Sequence, residues 1–357
     1  PYTPLRDALT VEAAHQVTRL TKANGNFMPL GEIVDEKVLV NSIVALHATG
    51  GSTNHTLHMP AIAQAAGIQL TWQDMADLSE VVPTLSHVYP NGKADINHFQ
   101  AAGGMAFLIR ELLDAGLLHE DVNTVAGHGL RRYTQEPFLD NGKLVWREGP
   151  LHSLDETILR PVARPFSAEG GLRVMEGNLG RGVMKVSAVA AEHQVVEAPA
   201  IIFESQHDVL PAFEAGLLNK DCVVVVRHQG PKANGMPELH KLTPPLAVLQ
   251  NKGFKVAIVT DGRMSGASGK IPAAIHLSPE ASANGPIGKI RNGDTIRLNA
   301  LVGTLNVLVD EDTWHEREYE VLSDKHRNDN AHDIGRELFA GMRKNVLSAE
   351  EGAVTWL

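Results

Sequence analysis

The chain has 357 residues, 43% of them hydrophobic, and a formal net charge of −10. This length and composition are typical of a globular protein with about two or three domains, and the negative charge argues against nucleic-acid binding. The sequence has neither an apolar stretch of about 18 residues nor the pattern of a signal peptide, so we expect a cytoplasmic protein with no membrane partner.

Apolar residues recur at helical spacing through most of residues 10–116. The segment LTVEAAHQVTRLTKANG at residues 9–25 predicts a helix that is capped by Thr10 and ends near Gly25. The segments DEKVLVNSIVALHATGG at 35–51 and NHFQAAGGMAFLIRELLDAG at 97–116 each predict one further helix that ends at glycine. We therefore expect this part of the chain to be helical.

The periodicity stops at about residues 127–166, where several prolines and the turn signal Asn141-Gly142 occur. We place a domain boundary there, between residues 150 and 151. Beyond it, six short β-rich runs are separated by glycine turns and a few helices; they lie at residues 180–189, 198–205, 221–230, 254–262, 294–300 and 304–310. This pattern favours a closed or nearly closed β-barrel with helices packed outside it, in an α/β fold class.

The stretch VTDGRMSGASGKIPAAIHLSPEA at residues 259–281 follows one of these runs. It is not a phosphate loop, since that motif requires different residues at Met264 and Ile271. Its glycines at 262, 266 and 269 let the backbone approach a ligand closely, with Arg263 and Ser265 at the end of the strand. A serine hydroxyl becomes a base only when a metal or cation lowers its pKa. The alternative is a turn in which Ser265 is only a helix cap.

The loop RHQGPKANGMPELHKL at residues 227–242 also follows an apolar run. Its glycines and prolines predict an irregular path that places Lys232 and Glu238 at a strand end. A carboxylate there suits Mg²⁺, which prefers oxygen ligands. The alternative is that Glu238 lies in the first turn of a following helix, where it complements the helix dipole.

The segment HATGGSTNHTLHMPAIAQAAG at residues 47–67 predicts a helix end at Gly50-Gly51 and a new helix whose N-terminal amides suit a phosphate or carboxylate. His55 and His58 share a face of that helix. Because the chain has 17 histidines, we expect the pair to form hydrogen bonds with the substrate and not to bind a metal.

At residues 89–104, Asp95 belongs either to a polar site or to a turn and helix N-cap. The single cysteine, Cys222, lies in an apolar run and is expected in the core.

In this order, GGSTNHTLHM, GPKANGMPELHKL and the stretch at residues 259–281 resemble the dihydroxy-acid dehydratase and phosphogluconate dehydratase family, iron–sulfur enzymes that remove water from sugar acids. The resemblance extends over nearly the whole chain. The first ten residues, His55 and the segment at 89–104 are similar to the phosphogluconate dehydratase branch. The resemblance implies a hydro-lyase that forms 2-dehydro-3-deoxy-6-phosphogluconate from 6-phosphogluconate in the Entner–Doudoroff pathway. Another sugar-acid or dihydroxy-acid dehydratase of the family is the alternative.

The resemblance also implies roles for single residues. Ser265 would be the base that removes a proton from the substrate, and Glu238 would be a Mg²⁺ ligand. The candidate residues for binding the substrate are Thr53, Asn54, His55, Lys232, Arg263 and Lys270.

The resemblance further implies an iron–sulfur cluster, of the 4Fe-4S type, with cysteine ligands in an N-terminal region that this sequence lacks. We therefore assign no cluster ligand in this chain. Residues 1–150 would be the helical tail of an N-terminal α/β domain and residues 151–357 a C-terminal β-barrel domain, in a homodimer. We expect the C-terminal portion of a longer enzyme; the alternative is a non-catalytic, cluster-free module that binds a sugar phosphate or supports oligomerisation.

Overall fold

The computed structural model describes residues 2–265, 269–333 and 335–355. The chain divides into two compact units: one comprises Pro1–Gly50, Ala63–Ile68 and Glu80–Gly170, and the other comprises Gly51–Ile62, Gln69–Ser79 and Gly171–Leu357. None of the helices in these described ranges is both long enough and apolar enough to span a membrane.

The α-helices of the described residues are, in chain order, Pro4–Arg19 (α1), Leu30–Ile33 (α2), Glu36–Thr49 (α3), His55–Ala65 (α4), Trp72–Val81 (α5), Ile96–Ala101 (α6), Gly104–Asp114 (α7), Val209–Glu214 (α8), Pro231–Asn234 (α9), Thr243–Asn251 (α10), Glu311–Glu316 (α11), Asp324–Ala331 (α12) and Ala340–Asn345 (α13). The strands are Asn123–Thr124 (β1), Gly127–His128 (β2), Gln135–Asp140 (β3), Lys143–Glu148 (β4), Leu172–Gly177 (β5), Gly180–Lys185 (β6), Val195–Phe203 (β7), Cys222–Val226 (β8), Val256–Thr260 (β9), Ala273–Ser278 (β10), Thr295–Asn299 (β11) and Thr304–Val307 (β12).

The first predicted helix begins about two turns earlier than expected. Thr3, not Thr10, is the N-cap of α1, and its side chain accepts a hydrogen bond from the Arg6 N–H. Thr10 lies inside the helix and donates to the carbonyl of Arg6 at 3.0 Å. The prediction of Thr10 as the cap was wrong because Pro4, with its fixed φ and missing N–H, already starts the helix.

The second predicted helix is confirmed as α3, with Asp35 as its N-cap and Gly50 in the left-handed region at its end. The third is wrong as a single helix, because it forms both α6 and α7. Gly103, with φ of +135°, lies between the two and breaks the helical path. The N-cap alternative for Asp95 is confirmed, since its carboxylate accepts from the first N–H groups of α6.

The second unit contains a closed barrel of eight strands in the order β10-β6-β5-β12-β11-β7-β8-β9. Strands β7, β8, β9 and β10 pair in parallel, and most other pairs are antiparallel. All six predicted β-rich runs contain a barrel strand, and β5 and β10 complete the closure. The predicted fold class, α/β with a β-barrel and flanking helices, is confirmed.

The strands β8 and β9 are buried along their whole length. A parallel strand covered on both faces reads as a continuous apolar run, which is how both appear in the sequence. Cys222 has no exposed surface, and burial raises the pKa of its thiol to about 11. It is therefore a core residue, as the sequence predicts.

Residues 135–148, where the helical periodicity stops, form an antiparallel hairpin of β3 and β4. Asn141 and Gly142 both have positive φ, at 48° and 80°. This is the conformation that an Asn-Gly pair favours in a two-residue hairpin turn. The sequence thus predicted the turn but not its two strands.

Candidate functional site

The two motif loops of the barrel unit lie side by side. They follow β8 and β9, which are parallel neighbours, so their carboxyl ends open at the same rim of the barrel. Glu238 and Arg263 form an isolated parallel bridge between the loops, and the Leu239 N–H donates to the Arg263 carbonyl at 3.1 Å. Each loop follows a strand end, as the sequence predicts, and the structure shows that the two strand ends are neighbours.

The carboxylate of Glu238 connects the two loops. Its Oε1 accepts a hydrogen bond from the Ser265 N–H at 2.5 Å, and its Oε2 forms an ion pair with Nη1 of Arg263. The Arg263 Nε donates to the Met236 carbonyl at 2.7 Å, which fixes the plane of the guanidinium. Glu238 is not in a helix, and α10 begins only at Thr243. The helix-dipole alternative is therefore wrong.

A third segment of the same unit supports the backbone around Ser265. The Thr53 hydroxyl donates to the Met264 carbonyl at 2.6 Å, across 211 residues of sequence. The Asn54 Oδ1 accepts from Arg263 Nη1 at 3.2 Å. Both predicted residues thus reach the candidate site, where they hold the Arg263–Ser265 segment in place. The Ser265 hydroxyl itself forms no hydrogen bond with the described residues.

Three predicted substrate-binding residues lie apart from this contact network. His55 is exposed, and its Nδ1 lies 2.9 Å from the Ser52 carbonyl oxygen. Lys232 and Lys270 are also exposed. In the described ranges none of the three forms a hydrogen bond or an ion pair with Glu238 or Ser265.

Gly262 lies where the two motif loops pack closely against each other. A Cβ atom on Gly262 would lie 2.7 Å from the Gln229 Cβ and from the Leu239 Cδ1. Gly262 is therefore needed for the close packing of the two loops. Gly266 lies outside the described residues.

Asp261 connects the two motif loops through buried hydrogen bonds. It has no exposed surface, and its two oxygens accept from the N–H groups of His228, Gln229 and Ala281 at 2.9–3.1 Å. Burial raises the pKa of this carboxyl to about 6, although the three hydrogen bonds favour its charged form. Sequence reasoning assigned no role to Asp261, although its position between a buried strand and Gly262 was a signal that could have indicated one.

His276 is a second buried titratable group near the site. Its ring Nδ1 lies 3.0 Å from the Thr56 hydroxyl, and its φ of +61° is rare outside glycine. Burial lowers the pKa of His276 to about 3, with Arg263 and His58 acting in the same direction. The ring is therefore neutral at physiological pH.

Lys185 is the one cation that shares a cavity with Ser265 among the described residues. It lies on β6, is 9% exposed, and donates to the Gly51 carbonyl at 3.2 Å. Burial lowers the pKa of its ammonium group to about 8. The cavity measures about 20 Å³ and is also lined by Thr53 and Met264, which is room for about one water molecule. Sequence reasoning missed Lys185 because it is a single lysine within a predicted strand.

The described residues do not fit an iron–sulfur cluster. They contain no group of three or more histidine, cysteine, aspartate or glutamate side chains able to hold a metal ion. Cys222, the only cysteine of the sequence, is enclosed in the barrel wall. For Glu238 to bind Mg²⁺, it would have to give up its contact with Arg263 or with the Ser265 N–H.

Comparison with known proteins gives two family matches. The model described as dihydroxy-acid/6-phosphogluconate dehydratase N-terminal matches residues 1–133, and the C-terminal model of the same name matches residues 157–353. The predicted resemblance is thereby confirmed.

Individual relatives agree with these matches. The chain is 69% identical over 356 residues to a phosphogluconate dehydratase of Pseudomonas aeruginosa, covering 100% of this chain and 58% of the relative. It is 62% identical over 353 residues to that of Escherichia coli K12, covering 99% and 58%. It is 35% identical over 321 residues to a dihydroxy-acid dehydratase of Sulfurisphaera tokodaii, covering 88% and 54%. The chain thus spans less than two thirds of the length of these relatives.

Proposed function

The chain belongs to the dihydroxy-acid/6-phosphogluconate dehydratase family, and we propose that it is part of a hydro-lyase that converts 6-phosphogluconate to 2-dehydro-3-deoxy-6-phosphogluconate. Two relatives of high identity bear the name phosphogluconate dehydratase. Because the chain spans 58% of their length, the activity is proposed for the complete polypeptide. The observation that carries the proposal is the 2.5 Å contact of Glu238 with the Ser265 N–H, which unites the two motif loops.

In this proposal Ser265 is the base. Its alkoxide takes the proton from C2, and the electron pair of that C–H bond forms the C2–C3 double bond as the C3–O bond breaks. The hydroxide that leaves takes a proton and departs as water, and the enol product tautomerises to the 2-keto acid. This role is supported by the backbone contact to Glu238, which holds Ser265 in place while its hydroxyl forms no hydrogen bond with the described residues.

Lys185 supplies the positive charge that a serine alkoxide needs. Lys185 and Ser265 line the same cavity of about 20 Å³, which has room for about one water molecule. In such a space a cation stabilises a neighbouring anion more strongly than it does in water. Lys185 therefore favours the ionised form of Ser265 and is the partner we assign to it.

The substrate contacts are proposed as follows. Arg263 is the first candidate for the carboxylate of the sugar acid, because it lies two residues before Ser265 and presents a planar donor fork. Thr53 and Asn54 position this segment through their contacts with Met264 and Arg263. Direct contacts of the substrate with His55, Lys232 and Lys270 stay predictions.

The cofactors, the oligomeric state and the cellular location are also proposals. The family resemblance favours a 4Fe-4S cluster, which would assist departure of the C3 hydroxyl and whose ligands would come from outside this chain. The Mg²⁺ site at Glu238, the homodimer and the cytoplasmic location are carried by the same resemblance alone.

The test is an assay of 2-keto acid formation from 6-phosphogluconate by the complete polypeptide, prepared anaerobically with iron and sulfide. We expect Ser265→Ala to reduce kcat by about 10²- to 10⁴-fold, the range for loss of an acid–base group. Ser42→Ala is the matched control, since the Ser42 hydroxyl only donates to Val38 within its own helix. No product from the wild-type protein would refute the proposed function, and full activity of Ser265→Ala would refute the role of the serine.

A further inference from the structure

A larger cavity in the barrel unit is lined by an arginine that has no hydrogen-bond or ion-pair partner among the described residues. Arg343 lies on α13, is half-buried, and forms no hydrogen bond or ion pair within the described part of the chain. The cavity measures about 440 Å³, and its lining includes Leu57, His58, Met236 and Arg263. This volume lies in the range of about 300–1,000 Å³ that small-molecule sites occupy.

Among the described residues that line this cavity, no carboxylate balances the positive charge. No aspartate or glutamate is among its lining residues, and Arg263 is already paired with Glu238. Arg343 is thus the remaining arginine of the cavity lining, and its guanidinium, which carries five N–H donors, forms no hydrogen bond or ion pair with the described residues. A half-buried guanidinium in this state is stabilised by an anion that enters the cavity.

A neighbouring cavity of about 610 Å³ shows the contrast. It is lined by Arg181 and Lys232, but also by Glu176, Glu280 and Glu350. Arg181 forms an ion pair with Glu350 at 2.7 Å. The cations of that cavity therefore have carboxylates beside them, whereas no aspartate or glutamate is among the described residues that line the cavity of Arg343.

We propose that the cavity of Arg343 binds the phosphate group of a phosphorylated sugar acid, with the Arg343 guanidinium as its principal donor. The inference rests on the proposed function and adds the site that selects the phosphorylated substrate. The phosphate on C6 is separated from the reacting C2 by several bonds, so it needs a cation other than the one near Ser265. Arg343 meets this need, because its cavity extends to Arg263, two residues before Ser265.

The shape and charge of a phosphate group suit a guanidinium as its binding partner. A guanidinium presents two parallel N–H groups that match two phosphate oxygens, and a phosphate ester carries more charge than a carboxylate at pH 7. His58 lies on the same cavity, and its ring also forms no hydrogen bond with the described residues. Its imidazole N–H is available as a second donor to the phosphate.

The experiment measures binding to the complete polypeptide by calorimetry, with 6-phosphogluconate and with gluconate, and the protein is prepared without iron so that no turnover occurs. We expect the wild type to prefer the phosphorylated ligand, and Arg343→Gln to weaken its binding by about 10- to 100-fold while gluconate binding is unchanged. Arg343→Lys keeps the charge without the fork and should give an intermediate loss. Lys344→Gln is the matched control, because Lys344 is an exposed cation on the same helix that does not line the cavity.

Three results would overturn the inference: no preference of the wild type for 6-phosphogluconate, unchanged binding in Arg343→Gln, or an equal loss in Lys344→Gln. Since Arg343 forms no hydrogen bond or ion pair with the described residues, the variants should melt within a few degrees of the wild type, and thermal scans check this. Binding does not depend on turnover. An active complete enzyme with unchanged KM in Arg343→Gln would refute this inference alone, whereas Arg343-dependent binding without turnover would refute only the proposed function.

Discussion

Replacing Lys185 by methionine should raise stability while it removes activity. The side chain is 9% exposed, and burial lowers the pKa of its ammonium group from 10.5 to about 8. That difference corresponds to about 3 kcal/mol by which the fold disfavours the charge at neutral pH. Methionine has a similar length and no charge, so it avoids this cost but loses the 3.2 Å bond to the Gly51 carbonyl. With about 1–2 kcal/mol for lost polar contacts, we expect a net gain of about 1–2 kcal/mol.

The pH dependence of stability separates this cause from simple repacking. Between pH 8 and 10.5 the unfolded chain holds a proton on Lys185 that the folded chain has released, so the free energy of unfolding rises with pH in this window. Below pH 8 both states are protonated and the cost of burying the charge is fully present. The advantage of Lys185→Met should therefore be largest at pH 7 and shrink towards pH 10.

Urea unfolding of the wild type and Lys185→Met at pH 7, 8, 9 and 10 provides the measurement. Lys252→Met is the control, because Lys252 is an exposed lysine at the end of α10. In the complete enzyme, Lys185→Met should also lower kcat by at least about 10²-fold, the scale of one lost electrostatic contact to the reacting group. A less stable variant whose difference from the wild type does not vary with pH would refute the assigned cost. Unchanged kcat would refute the role beside Ser265.

Two further predictions concern buried carboxylates. Asp261→Asn should lower the free energy of unfolding by about 2–4 kcal/mol, measured in urea. The reason is that the asparagine amide cannot accept hydrogen bonds from all three N–H groups of His228, Gln229 and Ala281. A loss below about 1 kcal/mol, which corresponds to about one hydrogen bond, would contradict this. Burial raises the pKa of Glu280 to about 7 from 4.5, so the folded state retains a proton that the unfolded state releases, and this residue's contribution to stability falls as pH rises from about 4.5 to 7. Glu280→Gln should remove that part of the decline in Tm; a wild-type-like Tm profile from pH 5 to 8 would contradict it.

Local sequence predicted most of the barrel because its central strands are continuous β-branched runs, as in β8. The two missed strands lack this signal: β5 contains Arg173 and Glu176, and β10 begins with two alanines in a loop-rich stretch. Both are strands because neighbours distant in sequence supply their partners, such as the antiparallel pairing of β10 with β6. Closure of a barrel is a non-local property. The domain boundary between residues 150 and 151 stays a prediction.

The candidate site could be predicted only as far as its loops. Glu238 and Ser265 were found because each follows a buried strand in a loop rich in glycine. Lys185 and Asp261 were missed, since their importance comes from burial, which depends on what packs around them and not on the adjacent residues. Arg343 was missed because its distinguishing feature is visible only in the fold: it forms no hydrogen bond or ion pair with the described residues.

The proposed roles fall into two groups: those assigned to residues of one compact unit, and the one step that no residue of this unit performs. Ser265, Lys185, Arg263 and Arg343 all belong to one compact unit, whose contacts join segments more than 200 residues apart. Proton removal and phosphate binding are thus assigned to groups that fold together. Departure of the C3 hydroxyl is not assigned to any of them. Ligand binding to the complete polypeptide prepared without iron therefore tests the phosphate site independently of the cluster, which only turnover requires.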